Sequence, residues 1–246
     1  MGWHCKTSGG YAVDTPMLRY PTAEGWDNIR QMYYVLRGLG WTTSAIVGLV
    51  TCMGFESLYN PWLWQGSIIP TTQNYTGSVG NKGYGLVQWD PGSYNNLEEG
   101  THQNKYIDNP HSINVPGYGP NFADQTGSLY DGYAQLIYLD DYGWVGQFYD
   151  GYHTYYSQLA PTFAAYKIST AAATDLCETW TQNFERAQGS LNPQRRAERQ
   201  QLAAYLYSVL QNEPVLPPDL PPAARGIPVW LLLKWRQANM KKGRWY

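Results

Sequence analysis

The stretch GLVTCMGFESLYNPWLWQG, residues 48 to 66, ends an apolar run in a glutamate and follows it with an Asn-Pro turn and two tryptophans. At helical spacing Glu56 shares a stripe with Leu49, Cys52 and Met53, so its carboxyl is expected to be partly desolvated. The last turn of a helix also presents the negative end of the helix dipole, which disfavours an ionised carboxylate. Both effects raise a pKa. A carboxyl that stays protonated near neutral pH is what a general acid needs, for instance to protonate a glycosidic oxygen. A lone glutamate at a helix end is ordinarily solvated, so the assignment needs a second feature.

The elements that must position Glu56 can be read from periodicity. Residues 22 to 37 place Trp26, Ile29, Met32 or Tyr33, and Leu36 at helical spacing, with Thr22 as N-cap and Gly38 as the stop. A second helix begins near 42 to 44 and runs through Ile46, Leu49, Val50 and Met53 to about Ser57, before Asn60-Pro61. Residues 66 to 125 are rich in Gly, Asn, Pro, Thr and Ser; within them GYGLVQW, 83 to 89, reads as a short strand after the turn-like GNKG. Strand alternation would put Tyr84, Leu86 and Gln88 on one face and Gly85, Val87 and Trp89 on the other. Helical patterns return over 128 to 141, 172 to 184 and 193 to 211, the last capped by Asn192 with Pro193 at its first position.

Composition narrows the classes. Charged residues are 15% and aromatics 15% of 246, with 22 Tyr and 11 Trp. Such a profile suits contact with carbohydrate and equally suits packing among other subunits. Residues 225 to 246 carry Arg225, Lys234, Arg236, Lys241, Lys242 and Arg244 and no acid, which leaves 11 bases against 19 acids in the remainder. A body with that acidic excess is not expected to bind nucleic acid. Cys5, Cys52 and Cys177 lack CxxC spacing, and His4, His102, His111 and His153 form no HExxH or HxH pair, so neither a metal nor another cofactor is expected. The first residues lack a signal-peptide core, and the longest apolar run, in IPVWLLLKW, is too short for a bilayer. Synthesis in the cytoplasm without a secretory signal is the resulting expectation. Six prolines between 214 and 228 imply a stiff linker leading to a basic, aromatic C-terminal appendage.

Taken together, ESLYNP at 56 to 61 and GYGLVQW at 83 to 89 resemble the Glu-Ser and Gly-Leu-x-Gln signatures of goose-type lysozymes and lytic transglycosylases. With GYGLVQWDP read whole, the sequence resembles the phage tail lysozyme family more closely. Weaker matches follow in order at YAQLIYL, 133 to 139, and TWTQNFERAQ, 179 to 188, ahead of a closing helix with Arg195 and Arg196. The resemblance spans roughly 25 to 211. It implies an α+β, mainly α, lysozyme-like domain over 22–213 with a small β-hairpin insert, an N-terminal arm over 1–21, and the Pro-rich extension over 214–246.

The same resemblance implies Glu56 as catalytic acid and a sugar cleft walled by residues 83 to 89. Tyr84, Gln88 and Trp89 are then candidates for substrate contact, with Asn60 shaping the turn and Asp90 as the nearest second carboxylate. Trp62, Trp64 and Trp89 suit core packing as well as sugar stacking. Where related sequences often carry Pro after the later Glu-Arg pair, this chain has Ala187, and an internal ion pair is the expectation for Glu185 and Arg186. The implied activity is cleavage of peptidoglycan glycan strands by a tail-borne lysozyme during phage entry, with other tail proteins as partners and 214–246 as the candidate segment for docking onto them. The alternatives are a lytic transglycosylase using the same Glu56, a mainly structural tail-tip protein, and an endolysin released in the cytoplasm.

Overall fold

The computed structural model describes residues 3–4, 19–61, 63, 85–88, 126–127, 132, 135–136, 139–140, 158–185 and 192–214. Thr22 caps helix α1 (Ala23–Gly38) by accepting from the Gly25 N–H, and Thr42 caps α2 (Thr43–Glu56) by accepting from the Ala45 N–H. Helix α3 (Phe163–Ile168) is capped by Thr162, and α4 (Ala173–Trp180) continues into a π-helical segment, Thr181–Glu185. Helix α5 (Pro193–Leu210) opens on Pro193 at its first turn, with the Asn192 side chain accepting from the N–H groups of Gln194 and Arg195. These caps satisfy amide groups that the first turn of a helix leaves without an intrahelical partner.

Helix α2 is the centre of the fold. Every residue from Ser44 to Gly54 is buried, which an amphipathic surface helix cannot achieve. It packs against α1, α3, α4 and α5. Each of Ile46, Leu49, Val50 and Met53, at 1% exposure or less, contributes roughly 1.5–3 kcal/mol by leaving water. Gly48 allows α4 to come close: a Cβ there would stand 2.9 Å from the Leu176 carbonyl carbon and 2.5 Å from the Tyr166 hydroxyl.

An aromatic cluster closes the core on the α3–α4 side. The Trp180 ring stacks on Phe184 at 4.3 Å between centroids and meets Tyr166 at 5.4 Å, while Trp41 meets Phe163 edge-on at 5.5 Å. The aromatic residues that composition offered to a sugar or a partner are therefore largely interior among the described residues: Trp3, Trp41, Trp180, Tyr33, Tyr59, Tyr166 and Phe184 are all fully buried.

Two expectations about β structure change. Residues 85–88 form a turn, not a strand, with the Gln88 N–H donating to the Gly85 carbonyl at 3.1 Å. Gly85 at φ 79° and Gln88 at φ 50° are left-handed, a conformation incompatible with a pleated strand. Alternation fails with it, since Leu86 and Val87 are both buried. The β pairing among the described residues is instead short and distant: β1 (Trp3–His4) pairs antiparallel with β2 (Thr126–Gly127). Trp3, from the expected N-terminal arm, lies in the core. The rest of the expected hairpin region and the Pro-rich extension from residue 215 onward fall outside the described residues. Within the expected helix over 128 to 141, residues 132, 135, 136, 139 and 140 are helical.

Candidate active site

Glu56 is the last residue of α2, at the point where the core helix reaches partial exposure. Burial pushes its carboxyl above the ordinary carboxylate range, against the opposing pull of the Arg19 and Arg199 guanidinium charges. Arg19 lies over the Phe55 ring, 4.1 Å from its centroid. The proton on Glu56 is thus favoured by its enclosure and contested by two cations.

The chain turns sharply after Glu56. Leu58 and Tyr59 have φ values of 54° and 65°, consecutive non-glycine residues in the left-handed region. Each costs about 1–3 kcal/mol, so the surroundings must hold them. Ser57 Oγ donates to the Met53 carbonyl at 2.9 Å, and Tyr59 is fully buried. From α1, the buried Asn28 amide donates to the Tyr59 carbonyl at 2.9 Å and to the His4 carbonyl at 2.8 Å, while its oxygen accepts from the His4 N–H at 2.9 Å. One side chain therefore ties β1, α1 and the turn after Glu56 together.

A second clamp joins this turn to residues 85–88. Buried Gln135 donates to the Pro61 carbonyl at 2.7 Å and accepts from the Leu86 N–H at 2.8 Å. A Cβ at Gly85 would collide with the Gln135 amide, so the close approach requires glycine there. The Gly85 N–H donates to the Leu63 carbonyl at 2.9 Å, and Gln88 Nε2 donates to Leu63 and Gly85 carbonyls at 2.9 and 3.0 Å. With its amide nitrogen so engaged, Gln88 Oε1 is enclosed and accepts no hydrogen bond. The two motifs, far apart in the chain, thus meet at Gln135.

The expected site residues divide accordingly. Glu56 ends α2, Asn60 stands in the turn after it, buried at 1% exposure, and Gln88 stands in the second turn, which Gln135 joins to the first. Tyr84, Trp89, Asp90, Trp62 and Trp64 lie outside the described residues, as does Arg186, the expected partner of Glu185.

Glu185 itself is beside the site. Along the facing stripes of α2 and α4, Gly48 abuts Leu176 and Cys177, and Cys52 Sγ lies 3.3 Å from both the Cys177 carbonyl and Thr181 Oγ1. One turn further on each strip stand Glu56 and Glu185. Burial pushes the Glu185 carboxyl well above its usual range, the charge of Glu56 adds to this, and an N–H from Trp180 Nε1 to Glu185 Oε1 at 2.9 Å opposes it. The π-helical segment makes that bond. At 3.6 residues per turn, side chains five apart point roughly 140° from one another, whereas i to i+5 winding brings them to one face.

Beneath the pair, Arg199 holds Glu178 with two 2.7 Å hydrogen bonds, both groups buried, and Arg196 Nε adds a 3.5 Å contact. Gln135, Asn28 and the Glu178–Arg199 pair were not singled out from sequence. Arg199 left a usable signal, since it precedes Leu202 and Leu206 by three and seven residues on the apolar stripe of α5. The two amides left none, because a buried and an exposed amide have the same letter.

A helical core that ends in an enclosed carboxyl, pushed above the ordinary carboxylate range by burial and followed by a tightly clamped turn, is of the kind acid-catalysed glycosidases use. A model of the phage tail lysozyme family matches residues 27–210, and the chain belongs to that family. Membership brings with it a peptidoglycan-degrading, lysozyme-like role and an association with the phage tail. No curated relative matches the chain. No described helix is long and apolar enough to cross a membrane.

Proposed function

We propose that this protein is a tail-associated peptidoglycan glycosidase, carried on the virion, that cleaves glycosidic bonds of the bacterial wall at genome entry with Glu56 as general acid. The observation that carries this is the enclosure of the Glu56 carboxyl at the end of α2, which favours its protonated form against two nearby guanidinium charges. In the reaction the Glu56 proton goes to the glycosidic oxygen as the bond from that oxygen to the anomeric carbon breaks and the leaving sugar departs as an alcohol; a water oxygen bonds to the anomeric carbon, and the proton that water releases restores the Glu56 acid.

Replacement of Glu56 by Gln tests the assignment. The variant should fold as the wild type does and lose about 10²-fold or more in release of dye from labelled peptidoglycan sacculi. Full retention of activity would remove Glu56 from the mechanism. Mass spectrometry of the products distinguishes hydrolysis from transglycosylation, since anhydro ends lie one water below reducing ends.

A further inference from the structure

Most aromatic rings among the described residues are interior, and Tyr205 of α5, at 39% exposure, is an exception. It belongs to a cluster at the surface. Its ring centroid lies 5.2 Å from that of Tyr20 and 5.8 Å from that of Trp26, with the planes inclined by 51° and 64°. Tyr20 and Trp26 are half-buried and rest on the core, so Tyr205 stands on fixed neighbours.

The face of α5 around Tyr205 carries no charge. Gln201, Ala204, Tyr205, Ser208 and Gln211 fall at three- and four-residue steps, and all are exposed. The first turns of the same helix differ, with Arg195, Arg196 and Glu198 engaged in ion pairs. A helix face left to water is ordinarily charged or strongly polar. A face of amides, a hydroxyl, a methyl group and an aromatic ring offers hydrogen bonds to hydroxyl and acetamido groups and an apolar plane to C–H groups. Those are the two things a sugar presents, and a strongly acidic or basic partner would find no counter-ion here.

The cluster is also continuous with the candidate active site. Tyr20 directly follows Arg19, whose carbonyl accepts from the Tyr59 hydroxyl at 2.5 Å and whose guanidinium lies over Phe55, the residue before Glu56. A glycan strand is a polymer, and its sugars continue across the surface on either side of the bond being cleaved. We propose that Tyr20, Trp26 and Tyr205, with the uncharged face of α5, bind the glycan strand of the substrate beyond the sugars at the cleaved bond. The inference rests on the proposed glycosidase reading for the identity of its ligand.

The test is co-sedimentation of the full chain with purified peptidoglycan sacculi, in a Glu56→Gln parent so that the strands are not consumed. Tyr205→Ala should bind about 3- to 10-fold more weakly than the parent. Tyr205→Leu keeps an apolar side chain against Tyr20 and Trp26 but no ring plane, and should lose as much. Tyr205→Trp restores a ring and should restore binding. In the active full chain, Tyr205→Leu should raise the half-saturating sacculus concentration by the same factor, because a contact remote from the cleaved bond binds ground state and transition state alike.

Equal binding by the parent, Tyr205→Leu and Tyr205→Trp would overturn the proposal. So would sedimentation velocity showing self-association that Tyr205→Leu abolishes while sacculus binding is unchanged, since the face would then join copies of the chain. Weaker binding by Tyr205→Leu, with no glycosidic cleavage by the wild type, leaves the glycan-binding face standing and removes the glycosidase assignment. Full cleavage by the wild type, with binding and half-saturation unchanged in Tyr205→Leu, does the reverse.

Discussion

Glu178 and Glu185 lie seven residues apart on one continuous helical run, α4 and its π-helical continuation, and the protein treats them in opposite ways. Glu178 is 0% exposed and receives two short hydrogen bonds from the Arg199 guanidinium. Glu185 receives one neutral indole N–H, while burial and then the charge of Glu56 push its carboxyl up. An enclosed carboxylate with a bidentate cation is held as an ion, whereas one beside a like group is pushed to retain its proton. The first arrangement ties α4 to α5. The second leaves a carboxyl of raised pKa near the end of α2, and the difference is set by where a guanidinium can reach.

The comparison breaks most visibly at Arg199. Replacing it by Ala leaves the Glu178 charge buried without its main partner and should lower stability by about 3–5 kcal/mol, seen as a large fall in the urea midpoint. A small loss would mean that the Glu178–Arg199 pair does little to tie α4 to α5. Gly48→Ala, which forces α2 away from α4 and disturbs the register that brings Glu56 to Glu185, should cost about 1–3 kcal/mol and reduce activity beyond what stability alone explains. Denaturation and sacculus assays on the same preparations separate the two effects.

Glu185→Gln should go the other way. A carboxyl whose folded pKa lies above its unfolded value binds more protons in the native state, so wild-type stability declines as pH rises from the unfolded carboxylate range through the folded pKa. The variant escapes that decline and should be more stable than the wild type by about 0.5–2 kcal/mol at neutral pH, with the advantage vanishing in acid. A variant less stable at neutral pH would show that Glu185 serves the fold as an ion, as Glu178 does.

The smallest effect is expected where a carboxylate meets a cation near the surface. Glu213 accepts from Arg30 Nε at 2.8 Å and from the Tyr34 hydroxyl at 3.0 Å. Burial acts to raise its pKa, but these two hydrogen bonds and the Arg30 charge outweigh it and hold the carboxyl below its usual range. Its contribution is present above the unfolded pKa and lost as pH falls through the folded one. Glu213→Gln should therefore cost up to about 1 kcal/mol at neutral pH and nothing in strong acid, measurable as a pH-dependent change in Tm.

Much of the helical frame was legible in the residues. Thr22, Thr42, Asn192 and Pro193 act within four residues of themselves, and the expected spans 22 to 37, 42 to 57 and 193 to 211 agree with α1, α2 and α5 to within a residue or two. The strand expected at 83 to 89 failed for a definable reason. The seven-residue stretch 83 to 89 around Gly85 is equally compatible with a turn, and the choice is made by Gln135, which takes the Leu86 N–H that a neighbouring strand would have used. The helix expected over 172 to 184 was right in place and wrong in winding, because α and π turns bury the same apolar letters, Leu176, Cys177, Trp180 and Phe184.

By itself the sequence determined that a central apolar helix ends in Glu56, and that Asn-Pro and Gly-Leu-x-Gln segments follow it. Those are local facts, governed by caps, turn residues and a 3.6-residue repeat. Only the tertiary structure decided that Glu185 stands beside Glu56, that Gln135 joins the two motifs, and that Arg199 serves Glu178. Each of these depends on a hydrogen bond or a charge acting between residues remote in the chain. Such partners are chosen by how closely helices approach, which here turns on the missing side chain of Gly48.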